Sequence, residues 1–425
     1  MKNILIILVC LFVANSLAAQ EDNYDIVYHD HVYYSHLKSV KLTHRGLSTT
    51  LPIIDLNTEG SLTLKFDDME GGGNLYTYEI IHCTKDWQRS DIEKIEYLDG
   101  FDNEEIESIA FAAGTIYDYT HYKITIPNED VRWTISGNYL LVIYEGDDSD
   151  RIPVITRRFM VVEPMVGIGG TVESPYSVTK LKTHHRIEIK AFLNEGVTIN
   201  DPVVELEAVV LQNGRWDNAI FGLAPMFQAR DQINWDRTDQ VLLPALKEFR
   251  NFDIRSFKYT SDFVHSIDLR KNGNDVLLEL AGKRTYRNYI SDIDANGRFI
   301  LTNSERSEPD ISSDYANVIF SLESGYIFDK EVYVMGAFTD WQLREEFKLE
   351  YDEDRKMYLG KALLKQGYYD YMYVTKDRSG FIDCEELEGS WFETENDYTL
   401  LLYYSQFGSE YDRLVGSTTI NSNKR

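Results

Sequence analysis

Cysteine and proline are both scarce in this 425-residue chain, with 3 and 9 copies. Cys10 lies close to the N-terminus, leaving Cys83 and Cys384 in what read as different domains. A disulfide-built scaffold is therefore not expected. Long apolar runs are also missing: even the stretch Ile4 to Ala14 falls short of the roughly 20 residues a helix needs to cross a bilayer. Positive charge is in deficit, with 43 Lys and Arg against 70 Asp and Glu, so the formal net charge is −27. Such a field repels nucleic acid and anionic lipid. It either keeps the chain in solution or steers it to a basic partner surface. Catalytic signatures are absent as well: there is no glycine-rich phosphate loop, no nucleophile elbow and no helical histidine pair. No catalytic residue and no cofactor is assigned.

The N-terminus has the character of an export signal. Lys2 supplies the positive start, Ile4 to Ala14 the apolar stretch, and Ser16 to Gln20 the small residues before a cleavage point. A cleaved segment 1–19 is predicted. Cys10 lacks the small residues that precede a lipidated cysteine, so no lipid anchor is expected.

The remainder reads as all-β. Tyrosine and phenylalanine are abundant, at 29 and 20, in short β-branched and aromatic runs separated by turn residues. Asn138 to Tyr144 and Pro153 to Val162 read as strands. Val203 to Val210 alternates, with Val204, Leu206 and Ala208 on one face and Glu205 and Glu207 on the other. Only Asp91 to Tyr97 and Glu104 to Phe111 read as short helices. About 400 residues exceed one hydrophobic core, and tandem immunoglobulin-like sandwiches are predicted at 24–165, 166–310 and 311–405. Val166 to Val178 and Asn303 to Asp314 read as linkers, and 406–425 as a loose tail.

A few constellations carry candidate chemistry. Asp292, Asp294 and Asn296, followed by Gly297, have the order of a calcium loop, but Asn303 stands where the closing glutamate belongs. An Asn-Gly turn between strands explains the same residues. His29, His31 and His36 cluster without the partners of a metal site. In the loop Gln212 to Ala219, Gly214 marks a turn, and Arg215, Trp216, Asp217 and Asn218 are the candidate partner-contact residues, because loops at sandwich ends carry recognition. Trp87, Trp133 and Trp216 read as packing anchors. Arg157 and Arg158 point to opposite faces of one strand.

Gly336, Phe338, Asp340 and Trp341, then Gly367, Tyr369 and Tyr371, resemble the early-set sandwich that serves as a glycogen- or starch-binding module. That resemblance implies Trp341 and Trp391 as the candidate glycan platforms, and the same rings also suit a sandwich core. Tyr369, Tyr371 and Tyr373 share one strand face, Met372 and Val374 the other.

Over most of its length the chain resembles the plug family of the type IX secretion system of Bacteroidetes. The matching stretches are Tyr78 to Trp87, Glu96 to Phe101, Tyr119 to Tyr122, Ser136 to Leu140, Thr156 to Glu163, Gln212 to Ala219, Lys247 to Asp253 and Lys365 to Tyr371. The resemblance implies a non-enzymatic periplasmic protein, peripheral at the inner face of the outer membrane. Its expected partner is the outer-membrane β-barrel translocon, whose periplasmic opening it closes when no substrate is present. The alternatives are a glycan-binding accessory or enzyme of polysaccharide processing, and an envelope-assembly adaptor without a gating role.

Overall fold

The computed structural model describes residues 25–44, 49–101, 103–146, 151–229, 232–235, 239–285 and 288–423. The expected export signal, 1–19, lies outside the described residues. Among the described residues every α-helix is a single turn of four residues, and the molecule is built from sheets. No helix among the described residues is long and apolar enough to cross a membrane.

The first sandwich packs a five-stranded sheet on a four-stranded one. In the former, His31–Val32, Ile152–Val162, Gly137–Glu145 and Tyr76–Cys83 run antiparallel, and Ile53–Asp55 joins Ile152–Val162 in parallel. The facing sheet has the order Leu37–His44, Leu62–Asp68, Thr120–Ile126 and Ser108–Phe111. Aromatic rings fill the space between them, with Phe66 stacked on Tyr122 and Tyr139 on Phe159. The helix expected over Glu104 to Phe111 is instead strand at Ser108–Phe111. The β-branched and aromatic side chains of Ile109 and Phe111 suit a pleated edge. Of the other predicted helix, one turn forms at Lys94–Tyr97.

Strand Gly137–Glu145 shows why its sequence is apolar without a break. Tyr139, Leu141 and Ile143 enter the core of the first sandwich, while Leu140, Val142 and Tyr144 pack outward against a second core. Period-two alternation persists, but both faces are covered. The partner across that second core is the middle sandwich, which supplies Val209, Leu211, Leu401, Tyr403 and Leu414.

The middle sandwich corrects the expected boundaries. One of its sheets contains Val166–Glu173, His184–Leu193, Gln232–Trp235 and Phe227–Ala229, with Leu242–Pro244 on His184–Leu193. The other runs Ile220–Leu223, Leu206–Gln212, Asp397–Tyr404, Arg413–Asn421. The chain therefore leaves this domain, builds the third, and returns to complete it. The stretch 406–425, expected to be loose, contains the strand Arg413–Asn421, with Leu414 and Val415 fully buried. Its outer Ser and Thr residues gave it a loop-like composition. Val166–Glu173, expected as a linker, is likewise a strand. Its glycines have a packing cause: a Cβ on Gly170 would meet Glu188 O at 2.5 Å and Leu400 at 2.9 Å. Pro202–Glu205 is one helical turn where strand was expected, with proline at a favoured helix start. Leu206–Gln212 is then buried on both sides, with Leu206, Ala208 and Val210 facing one core and Val209 and Leu211 the other.

The third domain starts earlier than expected, at Arg250–Asp253, and its ten-stranded sheet folds over an aromatic core. Gly367–Lys376 is its hub, pairing with Arg250–Asp253, Glu331–Met335, Phe299–Leu301 and Ile382–Asp383. Tyr369, Tyr371 and Tyr373 face that core while Met372 and Val374 face a smaller one, as the alternation predicted. The expected linker Asn303 to Asp314 is packed rather than free. Asn303 is buried and donates to Ser312 and Ser313 at 3.1 and 2.9 Å, and Pro309–Ser312 forms a helical turn.

Candidate functional site

The three sandwiches meet around a cavity of about 310 Å³. It brings together segments that are distant in sequence. Leu37–His44 and Ile152–Val162 supply Lys41, Arg157 and Arg158, the loop after Leu206–Gln212 supplies Gly214, Trp216 and Asp217, and the third domain supplies Arg298, Phe299, Asp340 and Trp341.

Arg157 and Arg158 point to opposite faces, as their alternation predicts. Arg157 is 4% exposed, and its guanidinium lies 3.3 Å from the Asp340 carboxylate. Arg158 donates through Nε to Tyr28 O at 2.8 Å and lies 4.3 Å from the Trp87 ring and 5.2 Å from that of Trp216. Those two indoles meet edge to face, their centroids 5.1 Å apart. Burial lowers the pKa of Arg158 to about 10, within the range where it stays charged at neutral pH.

The loop Gln212 to Ala219 turns inward. Asn213 and Gly214 have φ of +53° and +74°, and a Cβ on Gly214 would stand 2.6 Å from Leu51 of the first sandwich. Only glycine admits that backbone at that separation. Arg215 is 2% exposed, pairs with Asp217 at 2.6 Å and lies over the Trp341 ring at 4.8 Å. Burial works against its charge, but Asp217 outweighs it and the pKa is raised. Asn218 donates to Gln212 at 3.0 Å. Of the four residues selected from the sequence, only Asp217 is exposed.

The third domain contributes a strained turn. After the 3₁₀ turn Ala337–Thr339, Asp340 and Trp341 both take left-handed backbone, with φ of +54° and +57°. Trp87, behind Arg158, has φ of +60°. Positive φ in a bulky residue costs roughly 1–3 kcal/mol and clusters where surroundings over-determine the backbone. Here three such residues converge on one junction. Gly297 makes room for Trp341, whose ring would lie 2.3 Å from a Cβ there. Sequence reasoning selected Trp216 and Trp341 for unrelated reasons, and the fold brings both to one cavity.

Lys41 was not selected from the sequence, and nothing in its local pattern marks it. Its ammonium bonds to the carbonyl of Phe299 and lies 4.2 Å from the centre of that ring. Burial, helped by the neighbouring Arg298, lowers its pKa to about 7.

Of the remaining candidates, His29 and Trp341 line the cavity and the others lie elsewhere. Asp294 accepts from the backbone amides of Phe249 at 2.5 Å and Asn296 at 3.1 Å, while Asp292 is largely exposed and 3.7 Å from Lys247. Asn296 and Gly297 have φ of +55° and +79°, the backbone of an Asn-Gly turn. Among the described residues no group of three or more His, Cys, Asp and Glu is arranged to hold a metal ion. His29 and His31 meet edge to face. Trp391 is half-buried beside Tyr289 and Lys247, and Trp341 is 9% exposed beneath Arg215. Cys83 and Cys384 are both free thiols.

Residues 37–163 match the family model described as Type 9 secretion system plug protein 1st domain. Those limits coincide with the main strands of the first sandwich, from Leu37–His44 to Ile152–Val162. The crystal structure of a hypothetical protein from Parabacteroides merdae is 31% identical, with a TM-score of 0.88, and the match covers 93% of this chain and 100% of that one. The C-terminal domain of the Streptococcus agalactiae antigen I/II polypeptide BspA covers 91% of this chain and 97% of its own, at 6% identity and a TM-score of 0.16, which carries no argument. No curated protein matches the chain.

Proposed function

We propose, from the premise that this chain belongs to one family with the Parabacteroides merdae protein and carries the first plug domain of the type 9 secretion system, that it closes the periplasmic opening of that system's outer-membrane translocon while no substrate occupies it. The match of residues 37–163, which hold the main strands of the first sandwich, to the plug domain carries this reading. A role in type IX secretion and a place in the cell envelope follow from the domain family, which is not an enzyme family. Periplasmic residence, the β-barrel partner and the gating role are the proposal's own content.

The physical support is preorganisation. The first and middle sandwiches share one apolar core, where the Tyr403 hydroxyl also donates to Asn138 at 2.8 Å. The first and third are joined through Asp67, Tyr315 and Lys365. A partner wider than one domain is met by a surface already assembled, so little ordering cost opposes docking. The net charge of −27 speeds encounter with a basic rim, an effect on rate more than on final affinity.

The test is deletion of the gene in its native host, with uptake of a bulky antibiotic that the outer membrane normally excludes, and purification of the tagged protein under mild conditions. Leakage on deletion together with co-purification of the β-barrel is expected. Co-purification without leakage would leave the adaptor reading in its place, and absence of both would remove the translocon as partner.

A further inference from the structure

The junction cavity holds a surplus of positive charge in a chain that is otherwise strongly acidic. Its three carboxylates are already engaged. Asp217 pairs with Arg215 at 2.6 Å, Asp340 with Arg157 at 3.3 Å and also with Arg344, and Asp30 accepts the backbone amide of Arg158 at 2.6 Å. On the cationic side, Arg157 faces Asp340 and Arg298 faces Asp397 at 3.2 Å. Lys41 and Arg158 lack such a partner: the Lys41 ammonium has the carbonyl and ring of Phe299 for company, the Arg158 guanidinium the carbonyl of Tyr28 and the rings of Trp87 and Trp216, and no carboxylate among the described residues pairs with either. Holding a cation away from water without a counter-charge is costly, and an anion arriving in the cavity would relieve that cost.

We propose that this cavity binds a small carboxylate carried on an apolar or aromatic body, with Lys41 receiving the carboxylate. The body would lie against Trp216, Trp341, Phe299 and Leu51, which give the cavity its apolar walls. A volume of about 310 Å³ stands at the small end of ligand cavities, roughly 300–1,000 Å³. It admits an aromatic acid or the last residue or two of a peptide, and it excludes a folded domain. The carboxylate can come from a free acid or from a chain terminus, and the chemistry of recognition is the same for both. The inference does not depend on the translocon being the protein's partner.

Binding is expected to depend on pH. Lys41 titrates near neutrality, so its positive charge is present below about 7 and fades above it. The charged groups around the cavity are His29, Asp30, Arg157 and Arg158 from the first sandwich, Asp217 from the second, and Arg298 and Asp340 from the third. Burial lowers the pKa of His29 and raises that of Asp30. Protonation of His29 in acid would add to the same trend.

Calorimetric titration of the full chain at pH 6 and pH 8.5 with phenylacetate, with the tripeptide Gly-Gly-Phe and with its C-terminal amide tests the proposal. Saturable binding of an acid is expected, weaker by about tenfold or more for the amide, as for loss of a charge-assisted hydrogen bond, and weaker at the higher pH. Binding of both acids would identify a general acid site, and binding of the tripeptide alone a chain-terminus site. Lys41→Met is expected to weaken the acid about as much as amidation does, and Lys41→Arg to keep binding while removing the step between the two pH values. Should Lys41→Met misfold, the acid and amide comparison on the unmodified chain decides. Equal affinity for acid and amide, or no saturable binding of either acid, would overturn the proposal.

Discussion

Lys365 places its ammonium 2.6 Å from the carboxylate of Asp67, 298 residues earlier in the chain, and the two side chains are 3% and 0% exposed. The same carboxylate accepts Tyr315 Oη at 2.6 Å and has His121 Nδ1 at 2.6 Å. A buried charge with this many partners ties the first sandwich to the third. Its energetic meaning lies in what happens when one partner is lost.

Removing Asp67 leaves the Lys365 ammonium buried without a counter-charge, and removing Lys365 takes from Asp67 the larger of its two stabilising cations, each at a cost of about 3–5 kcal/mol. Asp67→Asn and Lys365→Met are each expected to lower the urea midpoint clearly. The double substitution is expected to recover much of the loss, because no unpaired charge then remains. Additive losses in the double variant would show that the pair is not coupled.

Acid sensitivity follows from two depressed carboxyls. Burial opposes ionisation of Glu388, but Arg250 and Arg284 outweigh it and lower its pKa to about 2. Burial likewise opposes ionisation of Asp67, and Lys365 with His121 leaves its pKa below the usual value. For a lowered acid, the stabilisation is full above the unfolded value of roughly 4 and is lost as pH falls through the folded value. Asp294 and Asp370 run the other way. Burial raises the pKa of Asp294 to about 7, with Asp370 adding repulsion, and burial raises that of Asp370 to about 6. Their contribution is present in acid and is lost as pH rises through 6 to 7. The melting temperature is expected to peak in mildly acidic buffer, and Asp294→Asn to flatten the decline between pH 5 and 8. A profile of unchanged slope in that variant would remove Asp294 as its source.

The returning C-terminal hairpin is testable by substitution and truncation. Leu414 is fully buried where the middle sandwich meets the first, so Leu414→Ala is expected to cost about 2–5 kcal/mol. Ending the chain after Gln406 removes the strand Arg413–Asn421 and leaves Asp397–Tyr404 as an unpaired sheet edge. Such a chain is expected to be aggregation-prone, with loss of the cooperative melt. A truncated chain that melts like the full one would make the hairpin dispensable.

What the sequence disclosed and what it withheld divide along physical lines. The all-β architecture was legible because aromatic and β-branched runs at period two are local, and strands such as Gly137–Glu145 and Gly367–Lys376 carry that signal in themselves. Domain boundaries were not, because nothing local in Asp397–Tyr404 says whether it pairs with its sequence neighbours or with Leu206–Gln212. The strand Arg413–Asn421 was hidden by its Ser and Thr residues, which an edge position tolerates. At the site, Trp216 and Trp341 drew notice as aromatics in turns, while their meeting across Arg215 depends on an insertion that no periodicity encodes. Lys41 looked like any outward lysine on a strand, and only the closing of the third domain gives it Phe299 as a neighbour.

The last prediction concerns where the proposed partner touches. The loop Gln212 to Ala219 is mostly committed inward, with Arg215 2% exposed, so it offers a partner little besides Asp217. Ile95 and Phe101 have the opposite character: they are 82% and 76% exposed and flank the ribbon of Leu98–Gly100 and Val131–Trp133, within the stretch that matches the plug domain. Exposed side chains of this kind contribute within about 0.5 kcal/mol to folding. Buried at an interface, each can be worth about 2 kcal/mol or more. The double substitution Ile95→Ser, Phe101→Ser is therefore expected to leave the melting temperature unchanged. It is expected to reduce retention of the outer-membrane β-barrel in pull-downs about tenfold or more. Raising salt from 50 to 500 mM is expected to slow association of the unmodified chain, since the charge of −27 acts through screened long-range steering. If the double variant retains the barrel as well as the unmodified chain does, the contact lies on another face, and the aromatic ribbon of the first sandwich is excluded as the anchor.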